Sequence, residues 1–206
     1  MHPNPIFRET SQNAAVAFAR SRGFGILSIN GSKLPLTAHI PFVLQSDGAS
    51  LVGHLVASNP IWRAISQESC PALLSVSGPD GYISPDWYGV PDQVPTWNYV
   101  AVNLSGTLSA LPQSDLREIL DLQSDMFEAR LPDKAPWRTD KMPDDIMDRM
   151  MRQIRPFKLT IEKVDSTWKL SQNKTADARQ SAGAHVSGTD IGLETGLLGA
   201  LMCQVE

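Results

Sequence analysis

Between Phe24 and Val56, three apolar runs (24–29, 35–44 and 50–56) are separated by short segments that hold turn residues, Asn30-Gly31 and then Ser46-Asp47-Gly48. Asn-Gly flanked by apolar runs favours a tight hairpin, because both residues tolerate the positive φ that a primed turn requires. Strands this short, repeating about every ten residues, predict an antiparallel sandwich or barrel rather than alternating βαβ units.

The rest of the chain supplies helices around such a sheet. Residues 11–23 carry a candidate N-cap at Ser11, apolar Ala15, Val16, Phe18 and Ala19, and a C-terminal Gly23. In SNPIWRAISQE, Asn59 suits the cap, Pro60 the first helical position, and Trp62 and Ile65 share a face. Strands are predicted at 72–77 and 97–108, the second with small Ser105 and Gly106. Residues 114–129 read as an amphipathic helix, and 143–154 as a shorter one beside the cluster Met142, Met147, Met150 and Met151. Alternation over 157–164 gives a strand, followed by a tight Asp165-Ser166 turn and a last strand at 167–170. The expected fold class is therefore α+β, mainly β: a small barrel with peripheral helices over residues 1–174, followed by a tail or docking helix at 175–206.

Charge and motifs narrow the function. Lys plus Arg number 18 and Asp plus Glu 22, so the net charge is 18 − 22 = −4, which gives no whole-molecule attraction to nucleic acid. Cys70 and Cys203 stand far apart without a neighbouring Cys or paired His, which excludes a zinc ribbon, a CxxC redox pair and a disulfide scaffold. No apolar stretch is long enough to span a membrane, and the first residues lack a secretory pattern, so a cytoplasmic location is expected. Dinucleotide, P-loop, zincin and nucleophile-elbow motifs are missing, and the four His (2, 39, 54 and 185) are scattered. No metal site and no catalytic residue is assigned.

Three segments carry chemistry. GHLVASNPIWR (53–63) delivers a strand into a capped helix start with His54, Ser58, Asn59 and Trp62; such an end accommodates phosphate, although simple capping and packing explain the same residues. GPDGYISPDWYGVPDQVPTWNY (78–99) holds five of the 14 aromatics in a Pro-braced connection, suited to stacking on a planar heteroaromatic ligand or to covering a barrel end. TWKLSQNK (167–174) ends a strand with two Lys plus amide and hydroxyl donors, able to bind phosphate or ring carbonyls or simply to be solvated.

In this order and spacing, these blocks resemble the PaiB-type family of FMN-binding split-barrel proteins, described as negative transcriptional regulators and related to the pyridoxamine-phosphate-oxidase-like fold. The carrying residues are His54, Leu55, Ala57, Asn59, Pro60 and Trp62; Gly78, Pro79, Tyr82, Ser84, Pro85, Trp87 and Tyr88; VPTWNY at 94–99; and WKLSQNK at 168–174, with TAHIP at 37–41 agreeing. The resemblance implies a homodimer with FMN near the subunit interface. It places Thr37 and His39 beside the ring, and His54, Ser58, Asn59 and Trp62 towards the phosphate. Trp97, Asn98, Lys169, Gln172, Asn173 and Lys174 complete the site. The chain departs from the family at Asn103, where a His is usual, at Ile154-Arg155-Pro156-Phe157, where an IVGF-like stretch is usual, and at His2, where a Tyr is usual. Two alternatives accompany this reading. One is a flavin-dependent oxidoreductase using Tyr82, Tyr88 or His39 as proton donor; the other is a barrel binding haem through His54 or His185, or holding no cofactor.

Overall fold

The computed structural model describes residues 1–205. Seven strands, β1 (Phe24–Ile29), β2 (Leu36–Leu44), β3 (Ser50–Val56), β4 (Cys70–Ile83), β5 (Thr96–Ala110), β6 (Ile154–Lys169) and β7 (Gly192–Leu193), pair in the order β1-β2-β3-β6-β5-β4-β7. An additional β1–β4 pairing joins the first six strands in a ring, the closed order of a barrel, with β7 added to β4 outside that ring. The helices are α1 (Gln12–Arg22), α2 (Pro60–Ile65), α3 (Leu116–Glu128), α4 (Asp144–Met151), α5 (Ala176–Val186) and α6 (Thr195–Gln204). The fold is α+β: a barrel with peripheral helices, as the strand spacing predicts, and a split β-barrel, as the resemblance implies.

The chain forms two compact units. One contains residues 17–75 and 104–164. Both hairpins form, but only the second turns where its turn residues stand, with Gly48 at φ +70°. β1 and β2 are joined by residues 30–35, in which neither Asn30 nor Gly31 takes a positive φ, and they align Ser28 with Thr37 and Ile26 with His39, while β2 and β3 align Phe42 with Gly53. β3 continues onto β6, with His54 opposite Pro156. The inward residues of this unit, among them Leu27, Phe42, Leu51, Leu74, Leu104, Phe157 and Leu159, are almost wholly buried. Burying each such side chain contributes about 1.5–3 kcal/mol. At Gly106 a Cβ would lie 1.9 Å from the Thr160 carbonyl oxygen, so only glycine permits the β5 and β6 backbones to approach as they do.

The other unit contains residues 1–16, 76–103 and 165–206. Here α5 packs against α6 and against the 3-10 turn Pro85–Tyr88. Leu170, Ala182, Val186, Leu198 and Met202 form its core. Arg179, itself buried, donates to the carbonyls of Met202 (3.0 Å) and Val205 (2.5 Å) and so satisfies the end of α6. β7 reaches β4 because Gly192 adopts φ +140°, where a Cβ would meet the Asp80 carbonyl at 2.2 Å.

Three local expectations are corrected. The strand expected at 72–77 runs on to Ile83. The strand expected to break at Asp165-Ser166 is continuous from Ile154 to Lys169. The N-terminal segment supplies the reason: Arg8 donates to Asp165 at 3.0 Å and the His2 amide donates to Thr167 Oγ1 at 3.0 Å, which satisfies in strand geometry the polar groups that would otherwise favour a turn. The helix expected over 143–154 ends at Met151, and Ile154 opens β6.

Candidate functional site

The residues singled out from the sequence fall into two groups, one in each unit. In the first, Thr37 and His39 lie exposed on β2, and the His39 ring meets that of Phe24 with centroids 6.5 Å apart. Phe24 is 51% exposed, an unusual position for a Phe on a regular strand. At the end of β3 the Asn59 carboxamide accepts the Ile61 amide at 2.8 Å, while Pro60 has no N–H to offer. Arg63 folds back and donates to the Ser58 carbonyl at 2.9 Å. α2 is only six residues long and largely caps itself, so its dipole is weak. The donors remaining at this turn are the Ser58 hydroxyl and the rest of the Arg63 guanidinium.

His54 lies apart from these. With Pro41, Gln123, Ser124 and Glu128 it lines a pocket of about 330 Å³ against α3. Its Nδ1 is buried without a hydrogen-bond partner among the described residues. Burial pushes the imidazole pKa down, and a hydrogen bond with Gln123 opposes that only in part, so the ring is held neutral. Gln123 also donates to the Pro41 carbonyl at 3.1 Å.

The second group is more closely knit. Asn98, fully buried on β5, donates to Ser171 Oγ at 2.8 Å, and Ser171 Oγ is also 2.9 Å from the Tyr88 hydroxyl. Ser171 has φ +64°, a left-handed conformation that lets the chain leave β6 abruptly after Leu170. Gln172 completes that turn: its Oε1 accepts the Leu170 amide at 2.8 Å, and its Nε2 donates to the Trp168 carbonyl. The turn aims both lysines back at the aromatic connection. Lys169 Nζ bonds Thr96 Oγ1; Lys174 Nζ donates to Gln93 Oε1 at 2.5 Å and lies 5.3 Å from the Tyr88 ring centroid. Asn173 is exposed beside them.

Neither Lys169 nor Lys174 has a carboxylate partner among the described residues. Lys169 is partly buried, and loss of water pushes its pKa down. An ammonium held by neutral oxygens in a partly dry setting retains the capacity to attract an anion. Next to Thr96 in the chain, Trp97 is 47% exposed and meets Tyr82 edge-on at 6.5 Å; Tyr82 meets Trp87 likewise, and Trp87 stacks on His185 at 5.9 Å and 10°. Two uncompensated cations, side-chain amides and hydroxyls, and an exposed indole form a donor set that fits a flavin carrying a phosphate.

Sequence reasoning did not identify Gln93, Thr96 or Ser171 as the groups that position these lysines. Thr96 and Ser171 lie within the VPTWNY and WKLSQNK blocks and Gln93 directly before the first, but nothing in the sequence marks them as partners of the lysines. Of the candidate proton donors, Tyr88 is buried and hydrogen-bonded, and burial pushes its pKa up. His185 bonds the Ser181 carbonyl through Nδ1 at 2.8 Å, and no cluster of three metal-ligating side chains occurs among the described residues. At two of the positions of departure, Asn103 contacts Met1 Sδ and His2 packs edge-on against Phe7.

No helix among the described residues is long and apolar enough to cross a membrane. The chain is 31% identical over 177 residues to the protease synthase and sporulation protein PAI 2 of Bacillus subtilis, covering 84% of this chain and 83% of that protein. Among solved structures, an FAD and haem binding protein from Mycobacterium smegmatis superposes with a TM-score of 0.58 at 18% identity, covering 91% of this chain and 82% of that one. A flavocytochrome from Azotobacter vinelandii gives a TM-score of 0.53 at 14% identity, covering 82% and 72%. At these identities the two structures share the fold alone with this chain. The model of the family described as "Putative FMN-binding domain" matches residues 1–163, and the chain belongs to that family.

Proposed function

We propose that this protein binds FMN as a homodimer, with the flavin near the subunit interface. The observation that carries the reading is the pair Lys169 and Lys174, two ammoniums fixed by Thr96 and Gln93 with no carboxylate partner among the described residues. They supply the charge that a flavin phosphate requires, and Trp97 of the same unit offers a flat surface to a ring. When bound, the flavin would supply one- and two-electron redox chemistry, and the chain's own residues would hold and orient it. Exposed Trp97 beside these lysines supports a second copy of the chain as the cover for this surface. The regulatory role that the PaiB resemblance implies would be exerted through a partner protein, because a net charge of −4 gives no general attraction to DNA.

Titration of the purified protein with FMN, FAD and riboflavin, followed by flavin fluorescence, tests this. FMN is expected to bind more tightly than riboflavin, and Lys169→Met with Lys174→Met is expected to lower FMN affinity by about tenfold or more, the usual worth of a charge-assisted contact. Equal affinity for FMN and riboflavin would refute the phosphate assignment, and tighter binding of FAD would replace FMN by the larger flavin. Light scattering of the same sample reads the dimer.

A further inference from the structure

Both lysine ammoniums are held by one short segment of the chain. Lys174 donates to Gln93 Oε1 at 2.5 Å and Lys169 bonds Thr96 Oγ1, so residues 93–96 supply the oxygens that an anion would otherwise supply. The two acceptors are anchored differently. Thr96 opens β5 and belongs to the sheet. Gln93 lies in residues 89–95, which have no regular structure and of which only Gln93 is partly buried. Among the described residues, none from 90 to 95 makes a backbone–backbone hydrogen bond. Gln93 Nε2 donates to the Pro91 carbonyl at 2.8 Å, a bond within the segment. Among the described residues, the bond to Lys174 is therefore the one hydrogen bond that ties residues 90–95 to the rest of the protein.

The lysine's own end is fixed. Its amide donates to the Ser171 carbonyl at 3.0 Å, and the adjoining Thr175 caps α5 by accepting the Ala178 amide at 3.4 Å. When the Lys174–Gln93 bond breaks, the segment moves and the lysine stays. Pro91 and Pro95 fix φ within the segment, so it swings as a stiff piece. Gly89 is placed to be the hinge, with φ +64° and nothing within 4 Å of where a Cβ would lie. Val90 and Val94 are 46% and 73% exposed, so little packing opposes the movement. Gln93 Oε1 is a neutral acceptor, whereas hydrogen bonds to a charged phosphate oxygen are roughly twice as strong. With the Tyr88 ring beside the same ammonium at 5.3 Å, Gln93 holds a place that an oxygen ligand needs.

We propose that residues 89–95 are a strap: in the ligand-free protein Gln93 fills the anion site at Lys174, and a phosphate that binds this lysine displaces it. The strap rests on the reading of Lys169 and Lys174 as a phosphate site, and adds to it a competitor built into the chain.

The test compares the full-length wild type with Gln93→Ala, each titrated with FMN and riboflavin and followed by flavin fluorescence. Removing the competitor should tighten FMN binding roughly two- to tenfold, the net worth of one hydrogen bond, and leave riboflavin binding unchanged. A Gln93 that only positioned Lys174 predicts the opposite sign, so weaker or unchanged FMN binding by the variant overturns the strap. An equal gain for riboflavin overturns it too, because the segment would then cover the ring and not the anion. In the wild type, nitrogen-15 relaxation at saturating inorganic phosphate should show lower order parameters at the Val90, Asp92 and Val94 amides; unchanged values overturn the displacement. Failure of the underlying reading looks different. Wild-type FMN affinity that is insensitive to Lys169→Met with Lys174→Met removes the phosphate site and the strap with it, whereas lysine-dependent binding that Gln93→Ala does not tighten removes the strap alone.

Discussion

Asn98 donates to Ser171 Oγ at 2.8 Å across 73 residues of sequence, linking β5 to the turn that ends β6. Asn98 is fully buried, and its Oδ1 has no partner among the described residues. The bond holds Ser171 in its left-handed conformation, and that conformation directs Lys174 towards Tyr88 and Gln93.

Asn98→Ala leaves the Ser171 hydroxyl with only Tyr88 and opens a cavity, so it should destabilise by about 1–3 kcal/mol. Ser171→Gly removes the same bond but relieves the positive φ, and so should cost less than Asn98→Ala. Urea denaturation of the two variants gives the ranking. The reverse order would show that the left-handed backbone at 171 stores no strain.

Gly106→Ala places a methyl 1.9 Å from the Thr160 carbonyl oxygen, a backbone atom that cannot move without shifting β6. Overpacking of this kind costs typically 1–3 kcal/mol and more where backbone must yield. The variant should show a lower Tm than Gly196→Ala, whose added Cβ meets nothing within 4 Å. A thermal scan of both variants checks the contrast.

Much of this fold is legible in local sequence. Ser46-Asp47-Gly48 sets the β2–β3 hairpin, with Gly48 at φ +70°, because tight turns depend on a few adjacent residues, whereas Asn30-Gly31 marks only the end of β1 and the β1–β2 connection runs over residues 30–35. Asn59 and Pro60 likewise mark the start of α2. What fails is decided at long range. Asp165-Ser166 carries turn chemistry but stays in a strand because Arg8 and the His2 amide, more than 150 residues earlier, engage Asp165 and Thr167. The positions of Lys169 and Lys174 were equally hidden, since Thr96, Gln93 and Ser171 carry no mark of their own beyond lying in or next to the named blocks.

Lys169→Met should stabilise the ligand-free protein. The ammonium is partly dehydrated, as its lowered pKa records, and has no carboxylate partner, whereas a methionine of similar length fills the same space without that cost. The same change removes a charge that a phosphate needs. A raised Tm without flavin, together with weakened FMN binding, is the signature of a binding residue kept at the expense of stability. A lowered Tm would mean that the bond to Thr96 is structural.

His54 sets the acid limb of stability. Its pKa in the folded protein lies below the ordinary 6.5 because burial disfavours the imidazolium. The unfolded chain therefore binds the extra proton first as the pH drops through 6.5, and stability falls from there until the folded pKa is passed, with a slope of up to about 1.4 kcal/mol per pH unit. Above 6.5 the group contributes no pH dependence. His54→Asn keeps a polar side chain beside Gln123 but cannot titrate, so urea midpoints measured on either side of 6.5 should differ less in the variant than in the wild type. Parallel losses in both proteins would assign the acid sensitivity to another group.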